Sequence, residues 1–232
     1  MAAQNKPVIW RAIVQMVIVV FIGPLIPMII SGDWGWWEGW AYAIASILAF
    51  VFSRLIVARK HPDLIAERAR FMQAKDTKPW DKVLAPLLGL GSILILAVAG
   101  LDRFYGWSSA FSTGVNIIAL VGIVIGYGFS SWALVENRFF SGTVRIQTER
   151  GHHVVSTGPY RIMRHPGYAG GLLGYIFIPI LFNSVWAFVP TILLVIVMVT
   201  RTALEDKTLQ VELPGYKEYA KKTRYRLFPG LW

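Results

Sequence analysis

Six apolar stretches, residues 12–30, 37–57, 83–101, 115–135, 168–181 and 185–200, constrain this chain more than any other feature. A helix that crosses a bilayer needs about 20 consecutive apolar residues, because hydrocarbon offers no partner to an open backbone N–H or C=O. The first four stretches have about that length. The last two are shorter and are separated only by Asn183-Ser184, the pattern of a helical hairpin with a tight turn. Lys6 and Arg11 ahead of the first stretch superficially resemble a signal peptide. A signal core runs only about 7–15 residues and is followed by a small-x-small cleavage site; none follows here, so the stretch reads as a first transmembrane helix, kinked at Pro24 and Pro27. The expected fold is all-α: a polytopic integral membrane protein of about six spans, the last two forming a hairpin, with a cytoplasmic C-terminal helical segment. Residues 1–135 read as a four-span bundle with a cytoplasmic loop at 58–82, and residues 136–232 as a second, ligand-binding half.

Composition agrees with a membrane protein. Of 232 residues, 55% are hydrophobic and only 16% charged, with a mean hydropathy of +0.52; soluble domains carry about 25% charge. A net charge of +10 would suggest nucleic acid in a soluble chain. Here the distribution gives a different answer. With the N-terminus inside, segments 1–11, 54–82, 136–167 and 201–232 hold 22 of the 23 Lys and Arg, and only Arg103 falls outside. This is the positive-inside pattern, with basic loops facing anionic lipid, and it puts both termini in the cytoplasm. No cysteine is present, so disulfides, thiolate nucleophiles and cysteine zinc sites are excluded.

Several local patterns have simple explanations. The turn Trp34-Gly35-Trp36-Trp37-Glu38-Gly39-Trp40 reads as an interfacial aromatic belt. Pro62 is placed to open a short helix along the membrane surface, with Asp63 and Glu67 near its positive end and Arg68 and Arg70 later. Glycines 122, 126 and 128, and 170, 171 and 174, lie inside apolar runs, where small residues allow close helix packing. His152 and His153 are adjacent, and no histidine pair has metal-ligand spacing, so no metal is expected. Nucleophile-elbow and phosphate-loop motifs are absent.

What remains is a polar constellation in two parts. The first is Gly158-Pro159-Tyr160-Arg161-Ile162-Met163-Arg164-His165-Pro166-Gly167-Tyr168, directly before an apolar run. The second begins at Arg201-Thr202-Ala203-Leu204-Glu205-Asp206 and continues through Tyr216, Tyr219, Arg224 and Arg226 to Trp232. Polar groups at a span end are costly unless paired or used. Arg201 and Glu205 are four apart, hence on one helix face. A hairpin joins the two parts, so they must meet. Their inventory suits a nucleotide-like ligand carrying both charges: tyrosine faces for an adenine or a sulfonium, Glu205 for ribose hydroxyls, and Arg or His for a carboxylate. Lys217, Lys221 and Lys222 fit lipid headgroups better.

The strings Gly158-Pro159-Tyr160, Arg164-His165-Pro166-x-Tyr168, Glu205-Asp206-x-x-Leu209, Pro214-Gly215-Tyr216-x-x-Tyr219 and Tyr225-Arg226-Leu227-x-Pro229-Gly230-x-Trp232 together resemble the isoprenylcysteine carboxyl methyltransferase family, a group that extends to phospholipid and thiol methyltransferases. The resemblance covers roughly residues 136–232. It implies a membrane-embedded S-adenosylmethionine-dependent methyltransferase whose cofactor pocket faces the cytoplasm and whose lipophilic acceptor arrives from the bilayer. On that likeness Gly158, Pro159, Tyr160, His165, Pro166, Tyr168, Glu205, Tyr219, Arg224 and Arg226 form the cofactor site. Arg164 or Arg201 holds an anionic acceptor, and these two with Glu205 make the catalytic set. One departure stands out: the family commonly has Glu-Glu where this chain has Glu205-Asp206.

Two other classes compete. Membrane sterol and steroid reductases share a tyrosine-rich, Arg-containing tail but take NADPH, whose 2′-phosphate the Arg224/Arg226 region would meet. A membrane scaffold or transporter would bind neither cofactor. Lipids are the expected surroundings and nucleic acid is not an expected partner. A compact chain without a retrieval signal favours the bacterial inner membrane over the endoplasmic reticulum.

Overall fold

The structure, a computed structural model, describes residues 17–69 and 76–232. It contains helices α1 (Ile26–Ser31), α2 (Trp37–Lys60), α3 (Pro62–Ala69), α4 (Asp81–Tyr105), α5 (Thr113–Glu136), α6 (Pro166–Leu181), α7 (Phe188–Glu212) and α8 (Tyr216–Lys222), and no strand among the described residues. Helices α2, α4, α5 and α7, of 24 or 25 residues, are long and apolar enough to cross a membrane. At 1.5 Å per residue each is about 36–38 Å long. The two other apolar stretches give shorter helical segments, Ile18–Ser31 and Pro166–Leu181.

The kink expected at Pro24 and Pro27 takes the form of a π-helical turn (Ile18–Ile22), a 3-10 turn (Gly23–Leu25) and then α1. Proline has no N–H to continue an α-helical ladder, so the hydrogen-bond register changes there. Lys6, Arg11 and the start of that span lie outside the described residues, as does Arg70.

The second arm of the last hairpin runs well past its apolar stretch. The chain does turn at Asn183, whose φ of 55° is left-handed, and at Ser184. The second arm does not stop where its apolar residues do. It continues as one helix to Glu212, so Arg201, Glu205 and Asp206 ride on the same rigid rod as the apolar span. Hydropathy ends at residue 200; helix-forming residues do not, and no Gly or Pro intervenes before Pro214.

Small residues set the tightest contact, between α5 and α6. A Cβ on Gly126 would lie 2.6 Å from the Gly170 carbonyl oxygen, and one on Gly170 would lie 2.5 Å from that of Gly126. Ser130 Oγ closes this seam by donating to Gly167 O at 2.8 Å. Among lipids, where apolar surface gains nothing by leaving the solvent, such close packing and hydrogen bonding carry the association. Gly128, in contrast, faces open space.

Polar pins fasten the end of the bundle opposite the candidate site. Asp102 accepts from Ser108 Oγ and Ser184 Oγ, and Glu38 accepts from the Asn116 and Asn183 side chains. The tryptophan turn divides here. Trp34, Trp37 and Trp40 are exposed, as a belt requires, but Trp36 is buried against Phe182 with ring centroids 5.0 Å apart. It is a core residue, and the belt reading is corrected for it.

Helix α3 starts at Pro62 as expected. Arginines of the segment that follows α5 then clasp it. Asp63 accepts from Arg138 at 2.9 Å and Arg150 at 2.6 Å, and Glu67 pairs with Arg145 at 2.9 Å.

Candidate active site

Two hydrogen-bonded systems organise the polar end of the bundle. The first centres on Asp206, which is wholly buried. Its Oδ1 accepts from Arg164 Nε at 2.7 Å and Tyr216 OH at 3.1 Å, with His165 Nε2 3.4 Å away. Its Oδ2 accepts from Arg164 Nη2 and Arg226 Nε, each at 3.0 Å, and Gln210 Nε2 at 2.8 Å. Arg164 Nη1 meanwhile donates to the carbonyls of Thr223 and Arg224 at 2.9 and 2.8 Å. The backbone adds to this: Arg164 and His165 N–H donate to the carbonyls of Tyr225 and Arg226. Through these contacts the tail is strapped to the turn that precedes α6.

The second system is a relay, Asp81–Arg201–Tyr168–Glu205. Asp81 Oδ1 and Oδ2 take Arg201 Nε and Nη2 at 2.6 and 3.0 Å. Arg201 Nη1 donates to Tyr168 OH at 2.5 Å, and that hydroxyl donates to Glu205 Oε2 at 2.6 Å. The four-residue spacing of Arg201 and Glu205 on α7 thus brings both onto one phenol of α6. His165 stacks parallel to Tyr168, with centroids 5.8 Å apart and planes 3° from parallel.

These groups open on a cleft of about 90 Å³. Tyr160, Arg164, His165, Tyr168, Arg201, Glu205 and Tyr219 line it, joined by Leu209, Leu213 and Tyr216. Gly158, Pro159, Pro166, Arg224 and Arg226 do not. Each has another position. Gly158 turns the chain at φ +54° against the Glu136 side chain. Pro159 sits in the 3-10 turn Gly158–Arg161, and Pro166 starts α6 at a position where no N–H is needed. Arg226 spans from Asp206 to the face of Trp232, and Arg224 is exposed.

One wall was missed from the sequence: the irregular segment 137–155, which has no period to read. Phe139 carries both histidines, His152 stacked at 4.6 Å and His153 edge-on at 4.9 Å. Burial and the nearby cations push the His152 imidazole down to about 4. It is neutral at pH 7, and its Nδ1 accepts from Gln147 N–H at 3.3 Å. Asp63, beside Arg150 and Arg138, is held down at about 2. Asp81 was missed as well. It lies 120 positions from Arg201, and the only sequence signal was an acid inside the basic segment Lys78-Pro79-Trp80-Asp81-Lys82. Among the described residues no cluster of three metal-ligating side chains occurs.

The sequence model of the isoprenylcysteine carboxyl methyltransferase family matches residues 117–211, the stretch that carries Arg164, His165, Tyr168, Arg201, Glu205 and Asp206. Over this stretch the chain is similar to that family. A probable protein-S-isoprenylcysteine O-methyltransferase of Oryza sativa subsp. indica is 40% identical over 60 residues, covering 25% of this chain and 31% of the rice protein. Protein-S-isoprenylcysteine O-methyltransferase A of Arabidopsis thaliana is 34% identical over 93 residues, 39% of this chain and 43% of the plant protein. The chain therefore spans less than half the length of the curated relatives it matches. Asp81, on one side of the family stretch, and Tyr216 and Arg226, on the other, complete its two hydrogen-bonded systems.

Proposed function

We propose that this chain is a membrane methyltransferase that binds S-adenosylmethionine in the cleft and methylates the carboxylate of a lipophilic, isoprenylcysteine-like acceptor. The observation that carries the reading is the Arg201–Tyr168–Glu205 relay opening on the cleft within the family stretch. The cleft's chemistry fits such a cofactor: a half-buried carboxylate, parallel His165 and Tyr168 rings, and apolar side chains from Leu209 and Leu213. His165, Tyr168 and Glu205 would hold it, Glu205 by accepting hydroxyl hydrogens and the aromatic rings by facing the positive sulfur. When bound, it supplies a methyl group on a sulfonium that leaves as a neutral thioether.

The protein's own contribution is positioning and exclusion of water. Arg201 holds the acceptor carboxylate, which is already ionised at neutral pH and needs no base. Arg164, committed to Asp206 and to the tail carbonyls, acts as a strut. Gly158, Pro159, Pro166 and Arg226 shape the turn and the strap around the cleft, while Arg224 is exposed and lines no part of it. The acceptor's apolar chain lies among the membrane helices, entering from the bilayer. Residues 136–232 supply most of the cofactor site and the four-span half supplies Asp81.

The basic end of the bundle, with the cleft, faces the cytoplasm in the six-span arrangement, as the placement of Lys and Arg supports. The matched relatives are plant proteins, so they lend no support to the bacterial inner membrane over the endoplasmic reticulum.

The test is calorimetric titration of detergent-purified protein with S-adenosylhomocysteine and, separately, NADPH. Micromolar binding of the first, lost in His165→Ala, is expected. Binding of NADPH alone would turn the reading to a reductase, and silence toward both in folded protein would overturn it.

A further inference from the structure

Arg201 has five N–H donors, and most are already in use. Asp81 takes Nε and one hydrogen of Nη2, at 2.6 and 3.0 Å, and the Gly142 carbonyl takes Nη2 at 3.1 Å. Only Nη1 turns toward the cleft, where its partner is the neutral hydroxyl of Tyr168 at 2.5 Å. Asp81 is fixed from the other side as well. It is the first residue of α4, and its Oδ2 accepts from Val144 N–H at 2.6 Å, so it cannot swing away without releasing the cleft wall. Both members of the pair are buried. A buried ion pair is poor evidence of stabilisation, since its desolvation largely cancels its attraction. Its geometry therefore asks for another explanation.

We infer that Asp81 determines how an acceptor carboxylate meets Arg201: by occupying the Nε/Nη2 edge it confines the acceptor to a single-point contact at Nη1. The inference rests on the methyltransferase reading and deepens it. An unoccupied guanidinium edge would grip a carboxylate through two parallel hydrogen bonds and engage both oxygens. A one-point grip holds the acceptor by one oxygen and leaves the lone pairs of the other free to attack a methyl carbon. It also favours release, because the ester product has lost the negative charge that held it. Asp81 is thus a positioning residue acting through Arg201, and it selects against over-tight carboxylate binding.

The experiment uses the full chain in lipid nanodiscs with two probes, N-acetyl-S-farnesylcysteine and its uncharged carboxamide. Dissociation constants are measured with S-adenosylhomocysteine present, and turnover with the carboxylate. In Asp81→Ala the freed edge should bind the carboxylate about fivefold more tightly, in line with one added charge-assisted hydrogen bond. The carboxamide's affinity should not change. Turnover should fall about tenfold as the reacting oxygen becomes engaged, so that KM and kcat drop together. Asp81→Glu, which keeps the charge, should retain the wild-type ratio of the two affinities.

A merely structural Asp81 would weaken both probes alike or leave both unchanged, and either result overturns the inference. If Asp81→Ala does not fold, Asp81→Ser with the same two probes decides: a raised carboxylate-to-carboxamide affinity ratio supports the inference, an unchanged one overturns it. Wild-type protein that binds neither S-adenosylhomocysteine nor the carboxylate would overturn the methyltransferase reading itself. With wild-type binding established, the Asp81 variants bear on Asp81 alone.

Discussion

Asparagine at position 206 is nearly isosteric with aspartate, yet it should be among the most damaging substitutions in this chain. All six polar neighbours of the carboxylate are placed as donors to it: Arg164 Nε, Tyr216 OH and His165 Nε2 around Oδ1, and Arg164 Nη2, Arg226 Nε and Gln210 Nε2 around Oδ2. Whichever way an amide is turned, its NH₂ meets donors. Two guanidinium groups also lose their counter-charge. Arg226 is 35% exposed and can recover water, but Arg164, at 6%, cannot. Removing one partner of a buried ion pair costs about 3–5 kcal/mol, against about 1 for a neutral hydrogen bond. In a chain of this size 1 kcal/mol moves Tm by about 2–4 °C, so Asp206→Asn should lower it by roughly 6–20 °C. Thermal unfolding in detergent, followed by tryptophan fluorescence, measures this. Adding Arg164→Met to Asp206→Leu should recover part of the loss, because no buried charge is then left alone. A Tm within about 2 °C of wild type for Asp206→Asn, or single and double losses that add within about 0.5 kcal/mol, would refute the buried-hub argument.

Glu205→Gln and His165→Ala should each weaken S-adenosylhomocysteine binding about tenfold or more, read by calorimetry, since each removes a charged or stacked contact at the cleft; intact affinity and turnover in both would remove them from the cofactor site. Gly170→Ala places a methyl 2.5 Å from the Gly126 carbonyl oxygen and should destabilise by about 1–3 kcal/mol. Gly128→Ala, facing open space, should be neutral or slightly stabilising by unfolding midpoint. Because the imidazole of His152 is held down at about 4 against an ordinary 6.5, the unfolded chain binds more protons between those values. His152 therefore contributes stability that is complete above pH 6.5 and lost as pH falls toward 4. Midpoints measured across that window should fall less steeply in His152→Phe than in wild type, and parallel curves would exclude the assignment.

The parts of this fold that were legible in the sequence are those set by local chemistry. Apolar length marks α2, α4 and α5, Pro62 marks the start of α3, and the four-residue spacing of Arg201 and Glu205 puts both on Tyr168. The small residues at 126 and 170 announced a close helix contact, which the backbone approach bears out. Hydropathy alone does not mark the end of α7, because it records where lipid contact stops and not where a helix stops. It equally failed to separate Trp36 from its three exposed neighbours, since burial there depends on Phe182 arriving from 146 residues away.

The candidate site has the same division, with a physical reason behind it. Charged groups announce themselves in a sequence, but their partners are chosen by tertiary structure. Arg164 and Arg201 have the same side chain, lie near the same cleft and are both buried. Only their neighbours separate them. Arg164 spends both edges of its guanidinium on Asp206 and on tail carbonyls, and so becomes a strut. Arg201 gives one edge to Asp81 and keeps Nη1 directed at Tyr168, beside Glu205 and the stacked rings. The residues that make this distinction, Asp81 before the family stretch and the tail carbonyls of Thr223 and Arg224 after it, lie outside residues 117–211. A family motif can thus name the arginines of such a site, while the flanking chain decides which of them keeps a donor turned toward Tyr168 and Glu205.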